Sequence, residues 1–541
     1  MEKRTIIALV LTVVILFFFQ TYFAPKQQPK QPQTTAATQT EETPQSKDAD
    51  VKKAEKTTKS EAAPAPAKKP GKTLARIEKR DPRDVFVETP YLKVTLTDLG
   101  GGIRSVRLKK YKETVKGPQN KEIIEDIKPF IYIPKISSSI NNQTVDDRTY
   151  FKPDRENITI QDKPETLTFT GTLEDGKKVR KIYTFHPDNY LIDMKTEFEV
   201  SDKDKTAIEF AIISGKNESS YVFKGPFVYN GKKLEQIEKI EKTMDFNKNY
   251  TYAGFDDGFF AFIWIPEEGS RPPLSIYKTE NGTPFIKLSP DKGMLSGKLF
   301  FGPKQSDVLK SLNVRAEKII DFGWFDIIAK PLILFMNFTY RFTHNYGIDI
   351  IILTILIKIL FYPLSVKSFK SMKEMQKLQP LVAKLKEKYK NDKQKLNQEM
   401  MGLYKARGVN PMGGCLPMVI QIPVFFALYK ALSGAIELRH APFFWWINDL
   451  SAPEDLFSFV IPGIGFTVPV RILPLIMGVT QVIQQKMTPT SVDPLQEKMM
   501  LFMPIFFTFL FWGFPAGLVL YWLVNNVISI GQQYYINKKV T

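Results

Sequence analysis

The sequence predicts a multi-domain membrane protein: an α-helical core of five transmembrane helices plus an N-terminal anchor, carrying an extracytoplasmic all-β sandwich. Three observations predict it. Long apolar runs such as Ile348–Leu364 (IDIIILTILIKILFYPL) crowd the C-terminal part of the 541-residue chain. The middle of the chain lacks such runs and alternates apolar with polar residues in short stretches, as half-buried strands do. Basic residues gather beside the apolar runs on one side, where the positive-inside rule places them.

Composition narrows the function classes. The net charge of +18 is not interleaved with aromatics as a nucleic-acid groove would be. Cys415 is the single cysteine, which excludes an intrachain disulfide and a Cys-based zinc site. His186, His344 and His440 stand apart in the chain, so no metal site is expected. Gly293–Lys298 (GMLSGK) lacks the spacing and the Ser/Thr of a phosphate loop, and no cofactor is expected.

In chain order, residues 1–23 read as an uncleaved anchor: Lys3 and Arg4 precede TIIALVLTVVILFFFQTYF, and no small-x-small cleavage site ends the run. Residues 24–83, rich in Pro, Gln, Thr, Ala and Lys, read as a disordered tether. Residues 84–320 read as the sandwich, with strands in Phe86–Leu96, Thr166–Thr172 and Val179–Phe185. Turns fall at Gly100-Gly101-Gly102, Pro187-Asp188-Asn189 and Asp256-Asp257-Gly258. A carbohydrate-active enzyme on this scaffold would need paired carboxylates or a His beside one; the acids here are spread along loops without a distinguishable pair.

The membrane core takes up 321–541. Residues 321–338 are aromatic but interrupted by Lys330-Pro331, which suits an interfacial helix. Spans follow at about 346–364, 412–435, 468–487, 495–512 and 516–536. Between the first two, residues 365–408 carry twelve Lys/Arg against four Asp/Glu and read as a two-helix hairpin turning at Asn391-Asp392. The loop from Ile436 to Thr467 holds Glu437, Asp449, Glu454 and Asp455 against Arg439. Charge therefore places both termini and the hairpin in the cytosol, and the sandwich and the acidic loop outside.

Polar residues inside the apolar runs fall in one leaflet. Lys358, with Thr354 one turn before it, lies in the cytosolic half of its helix, and a charge at a bilayer's centre costs on the order of 3 kcal/mol on lenient scales. Gln481, Gln484 and Gln485 share a face, and Asn525, Asn526, Ser529, Gln532 and Gln533 form a stripe. Gln421 lies about nine residues in from the cytosolic start of its own helix. Interhelical hydrogen bonding explains any one of them, and snorkelling is open to Lys358. Together they suggest a hydrated groove that opens to the cytosol and stops partway. A transporter needs a polar path reaching both sides, which this pattern lacks. Methionines collect at the same side; Met372, Met375, Met400 and Met401 on the hairpin suit either packing or a deformable surface for apolar segments.

These residues closely resemble the bacterial insertases of the YidC/Oxa/Alb family. The resemblance rests on FYPLSVKSFKSMKEMQKLQP, QEMMGLYKARGVNPMGGCLPMVIQIPVFFALY, MGVTQVIQQKMTPT and FPAGLVLYWLVNN, and extends through TDLGGGIRSVRL, FFGPK and DFGWFDIIAKPL. It implies a membrane protein insertase and folding chaperone, not an enzyme, working on nascent membrane proteins in the bilayer of the bacterial inner membrane. It implies work alone or beside the Sec translocon (SecYEG) with SecDF, and a β-supersandwich in the periplasm. The family's groove residues carry over to Thr354, Lys358, Gln481 and Trp522. Lys358 stands where the family usually has Arg, keeping the charge but losing the five-donor fork. After Ile536 come only Asn-Lys-Lys-Val-Thr, so no long basic ribosome-binding tail is expected. The basic hairpin remains a candidate ribosome contact.

Overall fold

The computed structural model describes residues 80–124, 132–140, 143–199, 205–211, 222–280, 282–291, 293–410, 416–460, 467–487, 494–539. The expected anchor, nearly all of the expected tether, and Cys415 lie outside them.

From Asp84 to Pro303 the chain forms sheets of five, nine and six strands. In the nine-stranded sheet, Lys178–Phe185 shows how alternation builds the core: Val179, Lys181, Tyr183 and Phe185 point inward and are buried. Phe260–Trp264 is buried at every position, as expected of a central strand covered on both faces. The stretch Phe86–Leu96 is two strands, Asp84–Glu88 and Leu92–Thr97. Thr89 Oγ1 accepts from the backbone N–H groups of Tyr91 (3.1 Å) and Leu92 (2.9 Å), and Pro90 cannot donate to a ladder. Gly100 and Gly101 turn with φ of 72° and 58°. A Cβ at Gly100 would lie 2.2 Å from the Tyr132 ring, so only glycine fits.

The acids of the sandwich are not confined to loops. Asp256 and Asp257 close the strand Tyr252–Asp257 and are buried. Lys304 Nζ donates to both Asp256 oxygens, at 3.0 and 2.7 Å. Asp257 pairs with Lys224 at 3.3 Å and Lys121 at 3.4 Å. Burial pushes the Asp256 carboxyl up to about 6, with the neighbouring Lys304 ammonium pulling the other way. Adjacent side chains on a strand point to opposite faces, and this strand is buried at every position, so both acids are buried and each pairs with lysine.

The helices are α1 (Asp326–Thr343), α2 (Tyr346–Leu360), α3 (Tyr362–Lys388), α4 (Lys393–Ala406), α5 (Leu416–Gly434), α6 (Ile472–Met487), α7 (Pro494–Phe511) and α8 (Ala516–Lys539). Helix α1 runs through Pro331 instead of breaking there. Its first turn is held by Asp326, which accepts from Phe322 N at 2.9 Å and from Lys330 Nζ, while Ala329 and Met336 are buried. Asn345 caps α2 by accepting from Gly347 N (2.9 Å) and Ile348 N (3.3 Å). That helix ends earlier than the expected span, because Pro363 fits the first turn of a new helix better than the interior of an old one. The two helices meet at Phe361 with a 64° bend.

No single described helix is long and apolar enough to cross a membrane alone; the bent pair α2 and α3 passes together. Strand Thr467–Val470 pairs with Phe457–Val460, so α6 begins later than its expected span.

The sandwich is joined to the helices by the segment after α5. Ile436 belongs to the hydrophobic core of the sandwich. Arg439 donates to the carbonyls of Lys112 (2.8 Å) and Glu113 (3.0 Å) and lies over the Phe260 ring. Burial raises the Glu437 carboxyl above its ordinary value.

Candidate functional site

Helix α8 packs on α2 and α6, and α6 packs on α7. The segment 435–471 fixes one end of this bundle. Ala516 N and Gly517 N donate to the carbonyls of Ala452 (2.8 Å) and Leu450 (2.9 Å). Glu454 accepts from Leu473 N at the start of α6. A Cβ on Gly347 in α2 would meet the Phe443 ring at 2.0 Å. Asp349 is buried at this end, in the first turn of α2, while Lys358 of α2, Gln481 and Gln485 of α6 and the Asn525–Gln533 stripe of α8 lie toward the opposite end, ten or so residues on, about 15 Å along a helix.

There the structure brings several expected residues together. Lys358 Nζ donates to Ser529 Oγ at 2.6 Å, and Ser529 in turn donates to its own helix at Asn525 O (2.7 Å). Asn526 Nδ2 donates to Thr480 Oγ1 at 3.4 Å. Gln533 Nε2 donates to Met487 O at 2.7 Å. These contacts stitch α8 to α2 and α6 in a polar seam. Lys358 forms no ion pair among the described residues. Buried polar atoms in the same region, Gln481 Oε1, Asn525 Oδ1, Gln532 Oε1 and Gln533 Oε1, have no hydrogen-bond partner among the described residues. A buried polar group without a partner costs about 1–3 kcal/mol, so the seam is suited to water or to polar groups of another chain.

Other expected residues stand differently. Thr354 is fully buried, and its hydroxyl donates to Ile350 O at 2.6 Å within α2; it packs the helix and does not line open space. Gln421 donates to the Tyr521 hydroxyl. Gln485 is half-buried. Trp522 sits among Phe425 (5.2 Å), Phe511 (5.1 Å) and Phe507 (6.2 Å), closing the seam with aromatic rings where the polar residues stop. Met372, Met375 and Met400 are half-buried on α3 and α4, and Met401 is exposed; all four lie beyond the bend at Phe361. Thr480 was not singled out from the sequence, because one hydroxyl in an apolar helix carries no signal; its place one residue before Gln481 gives none either. Gly478 brings α6 and α7 together, since a Cβ there would lie 2.1 Å from Thr508 Oγ1.

A bundle of apolar helices with a one-ended polar seam, bearing a β sandwich at its other end, defines a membrane protein with a large extramembrane domain. The family model described as the 60Kd inner membrane protein matches residues 338–541, and that described as the YidC periplasmic domain matches residues 84–335. Membrane protein insertase YidC of Syntrophus aciditrophicus (strain SB) is 41% identical over 559 residues, covering 100% of both chains. The insertase of the same name from Geobacter sulfurreducens (strain ATCC 51573 / DSM 12127 / PCA) is 40% identical, covering 100% of this chain and 99% of its own. An active YidC insertase crystal structure with the first transmembrane domain resolved is similar with a TM-score of 0.39 and 20% identity, over 84% of this chain and 93% of that one. The chain belongs to the YidC family of membrane protein insertases, inner-membrane proteins with a periplasmic domain that act on nascent membrane proteins in the lipid bilayer.

Proposed function

We propose that the polar seam is the substrate groove of this insertase. The observation that carries the proposal is Lys358: a half-buried ammonium whose one hydrogen bond among the described residues is to a hydroxyl, beside polar atoms that lack partners among those residues. A polar or acidic tail entering from the cytosol replaces those missing partners, and the low dielectric strengthens its attraction to Lys358. The hydrophobic segment of the same chain then passes sideways into lipid, driven by apolar burial. Thermodynamically the step is downhill, and no nucleotide or bond-making chemistry is needed.

Within this reading Lys358, Ser529, Asn525, Asn526, Gln481 and Gln485 line the groove. Trp522 closes it, and Thr354 and Gln421 hold its helices in place. The hairpin α3–α4 meets the arriving chain through Met372, Met375, Met400 and Met401. Its basic face suits anionic lipid or ribosomal RNA. Both termini are cytosolic; for the C-terminus the contacts of Ile436 and Arg439 with the sandwich support this, since they put the seam at the opposite end. Work beside the Sec translocon and SecDF belongs to the same reading, as do the unit boundaries 1–23, 24–83, 84–320 and 321–541.

Photo-reactive residues at Gln481 and Asn525 should cross-link to a stalled nascent membrane protein, and one at the buried apolar Val519 should not. Cross-linking from Val519 alone would move the substrate path out of the seam.

A further inference from the structure

Segment 435–471 does more than tie the helix ends together. Its strands Phe457–Val460 (FSFV) and Thr467–Val470 (TVPV) contain no charged residue. All four residues of the first strand are exposed, with Phe457 57%, Phe459 49% and Val460 59% accessible. Trp445, on the same segment, is 87% exposed and stacks on Trp446. A lone two-stranded hairpin is marginal in water, and apolar side chains on both of its faces do not suit an aqueous surface.

The base of this hairpin is rigid. Trp446 Nε1 donates to Glu454 Oε2 at 2.7 Å. Arg471 Nε donates to Glu454 O at 3.0 Å, and its Nη1 to Trp512 O at the end of α7. Helix α6 begins one residue after Arg471. The hairpin therefore leaves the bundle at the level where the helices end, among Trp445, Trp446 and Trp512. Tryptophan at that level is the signature of a membrane–water boundary. The segment also contacts the sandwich through Arg439, which puts the hairpin on the periplasmic side.

We infer that this hairpin is a lipid-binding element: it lies in the headgroup–acyl boundary of the periplasmic leaflet, with Phe457, Phe459 and Val460 in lipid. Its occupant is lipid because the apolar strands continue directly into a membrane helix at a tryptophan-lined boundary. Its depth is limited by its edges: two strands leave backbone N–H and C=O groups unpaired, which the hydrocarbon centre does not tolerate and the boundary does. The side assigned to the hairpin rests on the family's periplasmic domain; its lipid contact does not depend on the groove.

The test uses the full chain in proteoliposomes. A fluorophore is placed on Phe459→Cys in a Cys415→Ser background and compared with one on Lys248→Cys, an exposed sandwich position. Nitroxides on shallow acyl-chain carbons should quench the Phe459→Cys label several-fold more than the Lys248→Cys label. Nitroxides near the chain ends should quench it less, and aqueous iodide least. Adding Val460→Asp should return the label to iodide. Equal iodide quenching at both positions would overturn the inference, as would shielding from every quencher, which would mean that protein covers the hairpin. A lipid-quenched label on a chain that inserts no substrate would count against the insertase reading alone.

Discussion

Lys181 in the sandwich and Lys358 in the helical bundle both face inward, and their surroundings differ. Lys181 is fully buried in the sandwich, where Nζ donates to Asp147 Oδ2 (2.6 Å), Gly100 O (2.6 Å) and Pro134 O (2.8 Å). Asp147 also accepts from the Tyr132 hydroxyl (2.8 Å) and Ile136 N (3.0 Å). Every donor of that ammonium is used, so the group is a finished structural joint that ties three stretches of chain together. Lys358 in the helical bundle has one hydroxyl partner and no carboxylate among the described residues. A charge with unused donors is unfavourable as architecture and useful as a binding site. The Lys181 site has closed its polar groups; the seam has left its own open.

Stability should follow that division. Lys181→Met leaves Asp147 buried without its cation and should cost about 3–5 kcal/mol, read as an earlier unfolding transition of the sandwich. Pairing it with Asp147→Asn should recover part of the loss. If Lys181→Met unfolded like the parent, Lys181 would be no joint and the contrast would fail. Gly478→Val should come next, at about 1–3 kcal/mol, because its side chain collides with Thr508; a lower thermal midpoint in detergent would show it. A midpoint equal to the parent's would mean that α6 and α7 can separate freely.

A smaller effect should appear with pH. The Asp256 carboxyl is held near 6 in the folded chain against an ordinary value of 3.8. A raised carboxyl favours the folded state while protonated, so its contribution is complete below about pH 3.8 and is lost as pH rises through about 6. Asp256→Asn should flatten the dependence of the sandwich's melting between those values. An unchanged slope would assign it to other groups.

Much of this was legible in the residues. Lys358 announced itself as a charge in an apolar run, and the Asn525–Gln533 stripe repeats at helical spacing, so the two halves of the seam could be found separately. Their pairing through Ser529 could not, because periodicity gives a face of a helix but not its neighbour. Lys181 was overlooked since lysine in a strand suggests solvent, although its parity with Val179, Tyr183 and Phe185 points inward. The acids Asp256 and Asp257 read as a turn because Gly258 follows them; the turn is real, but the strand runs through both. The hairpin at Phe457–Val470 was hidden because its strands are short and the second merges into an apolar helix. Thr354 shows the opposite error: spacing put it beside Lys358, and burial spent its hydroxyl on its own helix.

The central claim is that Lys358 is left open for substrate. Lys358→Leu should change thermal stability by less than about 1 kcal/mol, since only one hydrogen bond is lost. Its effect should instead fall on insertion. Vesicles carrying the parent, Lys358→Arg or Lys358→Leu chain would be given paired substrates that differ only in the acidic residues of the translocated tail. The account predicts that Lys358→Arg inserts both, and that Lys358→Leu loses the acidic-tailed substrate most and the neutral one least. Equal insertion of the two substrates by the parent and Lys358→Leu chains would contradict it and leave Lys358 as a partner of Ser529 alone.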